Sequence, residues 1–236
     1  MKKANSFYKK QIPCIVLLVM LILSMTSSVY AGGTGWSFVD GGGAGGLNAN
    51  TAKTGRVPSL ATYNGELYAA WIEINDSAYQ VRVRKYNGES WSFVDGGGNT
   101  GINVNTNLYA MNPVLAVYNN ELYAAWQEAA SSKDQIRVRK YDGTKWSTVD
   151  GGSTTGLNKD TAMSAQFPAL VVYDNALYTA WHESYNSTLQ IRMKKFDGTS
   201  WSFVDGGDVT GLNKDTAQSA SYVSLETYHG ELYAAW

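Results

Sequence analysis

The segment WSFVDGG at residues 36–42 returns as WSFVDGG at 91–97, WSTVDGG at 146–152 and WSFVDGG at 201–207, a step of 55 residues each time. A second block keeps that step: ELYAAW at 66–71, 121–126 and 231–236, and ALYTAW at 176–181. A third block reads QVRVRKYNG from Gln80, QIRVRKYDG from Gln135 and QIRMKKFDG from Gln190. No insertion or deletion breaks the period. All 8 tryptophans belong to it, two per copy. An internal repeat of this kind decides the fold before any single residue is considered.

Within a copy, four stretches are rich in aromatic and β-branched residues and bounded by turn residues: Trp36 to Asp40, Pro58 to Tyr63, Glu66 to Glu73 and Gln80 to Tyr86. These read as short strands. Asn64-Gly65 and Asn87-Gly88 are hairpin signals, since both residue types tolerate the left-handed conformation of a tight primed turn. Four antiparallel strands in a tandem unit of this length form a β-propeller blade. Stacking blades buries both faces of each sheet, which explains why the alternating sets in Leu67, Tyr68, Ala69, Ala70 and Trp71 are both apolar. The expected order runs from Pro58–Tyr63, innermost, to Trp91–Asp95, outermost. A β-solenoid or a row of small sandwiches is the competing architecture.

Residues 1–31 are set apart from residues 32–236. Lys2, Lys3, Lys9 and Lys10 precede an apolar run from Ile15 to Met25, and Val29-Tyr30-Ala31 offers small residues for cleavage after Ala31. That is the order of a secretory signal peptide, and the run is short for a membrane span. The expectation is a secreted, extracellular protein with no membrane attachment after cleavage. Cleavage removes the single Cys14, so no disulfide is available. The whole chain carries a net charge of −1; loss of four lysines leaves the mature part at −5. Neither value suits nucleic-acid binding. With two histidines, His182 and His229, and no thiol in the mature part, no metal site is expected, and no cofactor. Asp40, Asn48 and Asn50 lack the alternate-residue spacing of a calcium loop.

Known propellers resemble this pattern at the level of the blade. The Asp-Gly-Gly after a hydrophobic strand and the pair Tyr86…Trp91 resemble kelch blades. The turn from Tyr141 to Trp146 is similar to the Asp box of sialidase-like propellers, with one residue fewer between Asp and Gly and without the serine.

Chemistry is sought first among residues that escape the repeat. His182 and His229 have no nucleophile, metal-ligand pair or phosphate loop beside them, so no catalytic residue is expected and the chain reads as a non-enzyme. The recurring polar residues are Glu73, Glu128 and Glu183, two positions after Trp71, Trp126 and Trp181, and Arg82, Arg137 and Arg192 on the next strand. A carboxylate and a guanidinium on adjacent strands can pair. One reading is a buried pair that fixes blade register. The other is a cleft in which the aromatic face stacks on a sugar ring, as the resemblance to fungal fucose-binding propeller lectins implies. The long connections Gly41–Val57, Gly96–Asn112, Gly151–Phe167 and Gly206–Tyr222 carry Asn48, Asn103, Asn158 and Asn213, expected to hold their loops through backbone hydrogen bonds.

The functional expectation is a lectin-like, multivalent binding protein for glycans with weak sites between blades. A propeller that binds an extracellular protein is the alternative, and a sialidase-like glycoside hydrolase fragment the second. The repeat supplies three full sets of strands and part of a fourth. The expectation is therefore a longer protein, with a further Gln-x-Arg block about nine residues after Trp236 by the step from Trp71 to Gln80. A complete chain would have to close as a homo-oligomer.

Overall fold

The computed structural model describes residues 37–43, 46–74, 78–152, 155–207 and 210–236. Residues 1–31, expected to be a leader, and Trp36 lie outside the described residues. Two compact units divide at Gly42. In the first, residues 37–42 are described, and Asp40 Oδ1 accepts from Gly42 N–H at 2.9 Å. The second unit, Gly43–Trp236, holds every strand discussed below.

The second unit is all-β. Blade 1 comprises β1 (Gly55–Tyr63), β2 (Glu66–Ile74), β3 (Tyr79–Tyr86) and β4 (Trp91–Phe93). Blade 2 comprises β5 (Ala110–Tyr118), β6 (Glu121–Ala130), β7 (Lys133–Tyr141) and β8 (Trp146–Thr148). Blade 3 comprises β9 (Ala165–Tyr173), β10 (Ala176–Tyr185), β11 (Thr188–Phe196) and β12 (Trp201–Phe203). A two-stranded sheet follows, β13 (Ser224–Tyr228) and β14 (Glu231–Ala235). Each four-stranded sheet is antiparallel in chain order, and the first strands pack successively, β1 on β5, β5 on β9 and β9 on β13. This is the blade architecture read from the repeat, with the expected strand order.

No blade has a core of its own. Tyr68, Ile72, Val81 and Val83 of blade 1 pack with Leu122, Ala124 and Trp126 of blade 2, and Tyr123, Ala125, Ile136 and Val138 pack with Leu177 and Trp181 of blade 3. The middle strand β6 is buried on both faces from Leu122 to Ala129. Burial therefore requires neighbours, as in other stacked repeats.

The first hairpin of each blade turns through two residues of positive φ: Asn64 and Gly65 (50° and 76°), Asn119 and Asn120 (48° and 57°), Asp174 and Asn175 (45° and 55°), His229 and Gly230 (50° and 76°). That is the primed turn expected. The Asn87-Gly88 turn differs. Four residues link β3 to β4, and Asn87 Oδ1 caps the loop by accepting from Glu89 and Ser90 N–H, both at 2.9 Å. Asp142 does the same in blade 2; hydrogen bonds from the Thr144 hydroxyl and the Lys145 and Thr144 amides lower its pKa to about 2.

The inner strands of the three blades each carry a bulge. The register of β1 against β2 shifts between Arg56 and Ser59, that of β5 against β6 between Met111 and Val114, and that of β10 against β9 between Ala180 and His182. At these bulges Val57, Asn112 and Phe167 have φ of 55°, 54° and 54°, and Tyr222, before β13, has 58°. For Val, Phe and Tyr this is a strained backbone. Pro58, Pro113 and Pro168 follow the first three.

Candidate functional site

The recurring residues build the frame. Glu128 accepts from Trp126 Nε1 at 2.8 Å and from the loop amides of Val104 and Asn105, both at 2.8 Å. Glu73 and Glu183 hold Ala49 and Asn50, and Lys159 and Asp160, in the same way. The arginines turn elsewhere. Arg82, Arg137 and Arg192 pair through Nε with Asp95, Asp150 and Asp205 at 2.7, 2.9 and 3.0 Å. The Glu–Arg ion pair considered from sequence is thus corrected: the arginine's partner is the aspartate of Asp-Gly-Gly, one strand outward, and the glutamate's partners are backbone amides. Burial raises the pKa of Asp150 and of Glu183, against the pull of Arg137 and of the donors to Glu183 respectively.

The Gly-Leu/Ile-Asn motif joins consecutive blades. Asn158 Oδ1 accepts from Ile136 N–H at 2.9 Å, and its Nδ2 donates to the carbonyls of Asp134 (3.0 Å) and Met163 (2.9 Å). Asn103 and Asn213 repeat the pattern on Val81 and Tyr79, and on Ile191 and Leu189. Each asparagine holds its own loop, as expected, and also the third strand of the blade before it. The glycine two residues earlier is required by contact, since a Cβ on Gly156 would lie 2.2 Å from the Ile136 carbonyl oxygen.

All nine residues singled out from sequence are buried, Trp71, Trp126 and Trp181 at 5%, 0% and 0% exposure. Glu73 and Arg82 border a surface pocket of about 160 Å³ with Ala49 and Lys53. Glu183 and Arg192 border an equivalent one of about 270 Å³ with Lys159 and Asp160. The structure brings Glu and Arg to one pocket edge and leaves the tryptophans in the core.

A different set of residues gathers where the copies diverge. Aligned at 55-residue steps, position 56 is Arg56, Met111, Gln166 or Ser221; position 57 is Val57, Asn112, Phe167 or Tyr222; position 72 is Ile72, Gln127 or His182; position 79 is Tyr79, Asp134 or Leu189. These lie at the start of the first strand, the end of the second and the start of the third, all at one end of the blades. There a cavity of about 450 Å³ is lined by Ile74, Ala78 and Tyr79 of blade 1, Tyr109, Met111, Gln127 and Asp134 of blade 2, and Gln166 of blade 3.

Among the described residues Asp134 is the one charged residue of that lining, and it is 5% exposed. Its Oδ1 accepts from the Tyr109 hydroxyl at 2.8 Å, and its Oδ2 from Gln166 Nε2 at 2.6 Å and Gln127 Nε2 at 3.3 Å. Burial, then the bond to Asp134, raises the Tyr109 pKa and keeps its hydroxyl a donor. Gln127 Oε1 accepts from Asn112 Nδ2 at 2.8 Å and from the bulge amide of Phe167 at 3.1 Å. One blade further on, His182 Nδ1 accepts from the Tyr222 amide at 3.4 Å, and Phe167 meets Tyr222 edge to face at 4.5 Å between centroids. Burial lowers the His182 pKa, which suits a ring nitrogen that accepts.

Reading the sequence for non-repeating residues considered only the histidines. Comparing the copies position by position was the signal that finds Asp134, Gln127 and Gln166. Among the described residues no cluster of three or more metal-ligating side chains occurs.

No protein-family model matches the chain, and no curated protein matches it in sequence. Among solved structures it is similar to a thermostable family-43 glycoside hydrolase, at 13% identity and a TM-score of 0.49, covering 76% of this chain and 64% of that one. It is also similar to the family-43 endo-arabinanase of Bacillus licheniformis (15%, 0.45, 76% and 63%). A third is Zg3597, a family 117 glycoside hydrolase of Zobellia galactanivorans (12%, 0.46, 78% and 66%). The chain spans less than two thirds of the length of each. These similar structures are glycoside hydrolases, and the expectations of a non-catalytic, lectin-like function and of a non-enzyme are corrected on that finding. The polar atoms behind the lectin expectation are also engaged inside the frame: Trp Nε1 with Glu, Glu with loop amides, Arg with Asp.

Proposed function

We propose that this chain is part of a secreted, carbohydrate-active propeller enzyme that cleaves a glycosidic bond in an extracellular glycan, with the Asp134 cavity holding a sugar ring. One observation carries the reading: where the repeat changes its chemistry, the structure has a cavity, and a nearly buried carboxylate sits in it with a phenol and two amides. Recurring side chains hold the backbone there, since Asn158 binds the Asp134 carbonyl. Divergent side chains bonded to one another line the cavity.

Glycoside hydrolysis uses two carboxyl groups about 5 to 9.5 Å apart. Asp134 supplies one of them and, clamped as an acceptor, suits the role of base or orienting carboxylate rather than proton donor. The second would come from a residue outside the lining. Beyond their bonds to Asp134, the second N–H of each amide and the lone pairs of the Tyr109 oxygen would meet the sugar's hydroxyl groups, so that the ring is oriented before the bond breaks. Export through the leader fits a substrate outside the cell.

The test uses the exported protein, whose N-terminus should read Gly32, incubated with a panel of polysaccharides. Release of reducing ends is expected, with about a 100-fold or greater loss in Asp134→Asn, the scale of acid–base assistance. Absence of release from every polymer, or equal release by the variant, overturns the reading.

A further inference from the structure

We infer that the site takes an uncharged polysaccharide, with one sugar ring in the Asp134 cavity and the adjoining ring on the Phe167–Tyr222 face. This deepens the reading above and rests on it.

The charge of the lining sets the substrate class. Asp134 brings a negative charge, and among the described residues no cation lines the cavity. Arg56 and Lys133, the cations at the neighbouring positions, are exposed and stand outside the lining. A uronate or sulfated ring would place its anion beside Asp134 with nothing to balance it, and like charges brought together oppose binding. The hydrogen-bond inventory points the same way. A carboxylate has about four acceptor positions, and Tyr109, Gln127 and Gln166 take three. What remains is room for one donor, which a sugar hydroxyl supplies.

One side chain links the cavity to the backbone that carries the aromatic residues. Gln127 reaches Asp134 with its Nε2 and the Phe167 amide with its Oε1. Phe167 in turn packs against Tyr222, which is 67% exposed. An exposed aromatic side chain is ordinarily free to move, but the Tyr222 ring meets two rings edge to face, Phe167 at 4.5 Å and His182 at 6.0 Å between centroids, and its backbone, at φ 58°, is held by an amide bonded to His182. A ring positioned in advance loses little freedom when it stacks on the C–H face of a sugar. The repeat offers other side chains at this place, Val57 and Asn112, and puts aromatic ones only beside blade 3.

Affinity gel electrophoresis with arabinan, β-mannan and a neutral glucan, and with polygalacturonate as the acidic probe, tests this. At least one neutral polymer should retard the protein and polygalacturonate should not. Tyr222→Asn should weaken retardation by about threefold to tenfold, the range an aromatic contact contributes. Asn112 occupies the corresponding position in blade 2 at φ 54°, so this variant removes the ring and keeps the backbone. An unchanged melting temperature checks that, and Tyr222→Phe should bind as the parent does. Equal or stronger retardation by polygalacturonate, no retardation by any neutral polymer, or undiminished binding by Tyr222→Asn overturns the inference. Tyr222-dependent retardation without bond cleavage supports the subsite and removes the catalytic reading, so the two failures are separable.

Discussion

Two neighbouring residues on β7, Asp134 and Gln135, belong to different regimes. Gln135 recurs as Gln80 and Gln190, and its Nε2 is tied to the Thr161 carbonyl at 3.0 Å. Asp134 stands where other copies have Tyr79 and Leu189, and its side chain faces a cavity. The difference teaches how a repeat protein can divide frame from candidate site along one strand. The recurring set ties strands and loops together within and between blades, and the divergent set gathers at one end of the blades, where Gln127 and His182 add bonds to the Phe167 and Tyr222 amides. If the separation is real, losses of stability should follow the recurring positions and losses of function the divergent ones.

The largest effect should come from Trp126→Ala. The side chain is fully buried between blades 1 and 2, and emptying such a site costs about 3–5 kcal/mol. Trp91, on the outermost strand and partly exposed against Tyr86, should cost less. Urea midpoints with unchanged slope would measure both. Equal losses would break the account of strand order and with it the comparison.

The next effect sharpens it within one kind of residue. Gly156→Ala places a methyl against the Ile136 carbonyl and should destabilise by about 1–3 kcal/mol, as overpacking does. Gly98→Ala, in a preceding copy of that loop with nothing within 4 Å of where the methyl would sit, should stay within about 0.5 kcal/mol. Similar losses in thermal or urea unfolding would show that contact at the loop motif is not what fixes the blades.

The smallest effect is one of pH. Burial lowers the folded-state pKa of His182 below its ordinary 6.5. The unfolded chain therefore binds the proton more readily, and stability present above about pH 6.5 falls as the pH drops toward the lowered value. Melting temperatures between pH 7.5 and 5 should decline, and His182→Gln, which copies Gln127, should flatten part of that decline. A parallel decline in the variant would assign it to other groups.

The blades were legible in sequence because their signals are local: primed-turn pairs at Asn64-Gly65, apolar alternation in Leu67–Trp71, and the uninterrupted step of 55 residues. The partners of the polar frame were less so. Glu73 and Arg82 are adjacent in the sheet, and sequence alone does not show that Asp95 lies nearer the arginine or that loop amides claim the glutamate. The cavity was the least legible, because its lining comes from three blades and from residues that no repeat block contains. It could be reached only by asking which positions change while their neighbours do not.

The asparagine that reaches back one blade also sets an order in time. Val81 N–H waits for Asn103, 22 residues further along the chain, and the same delay recurs for Ile136 with Asn158 and Ile191 with Asn213. At a synthesis rate of about 5–20 residues per second, each blade stays unlatched for about 1–4 s after its third strand is made. In arrested nascent chains, protection of the Val81 amide from exchange should therefore begin only once Asn103 has emerged, so the sheet assembles as a ratchet in which every unit is locked by its successor.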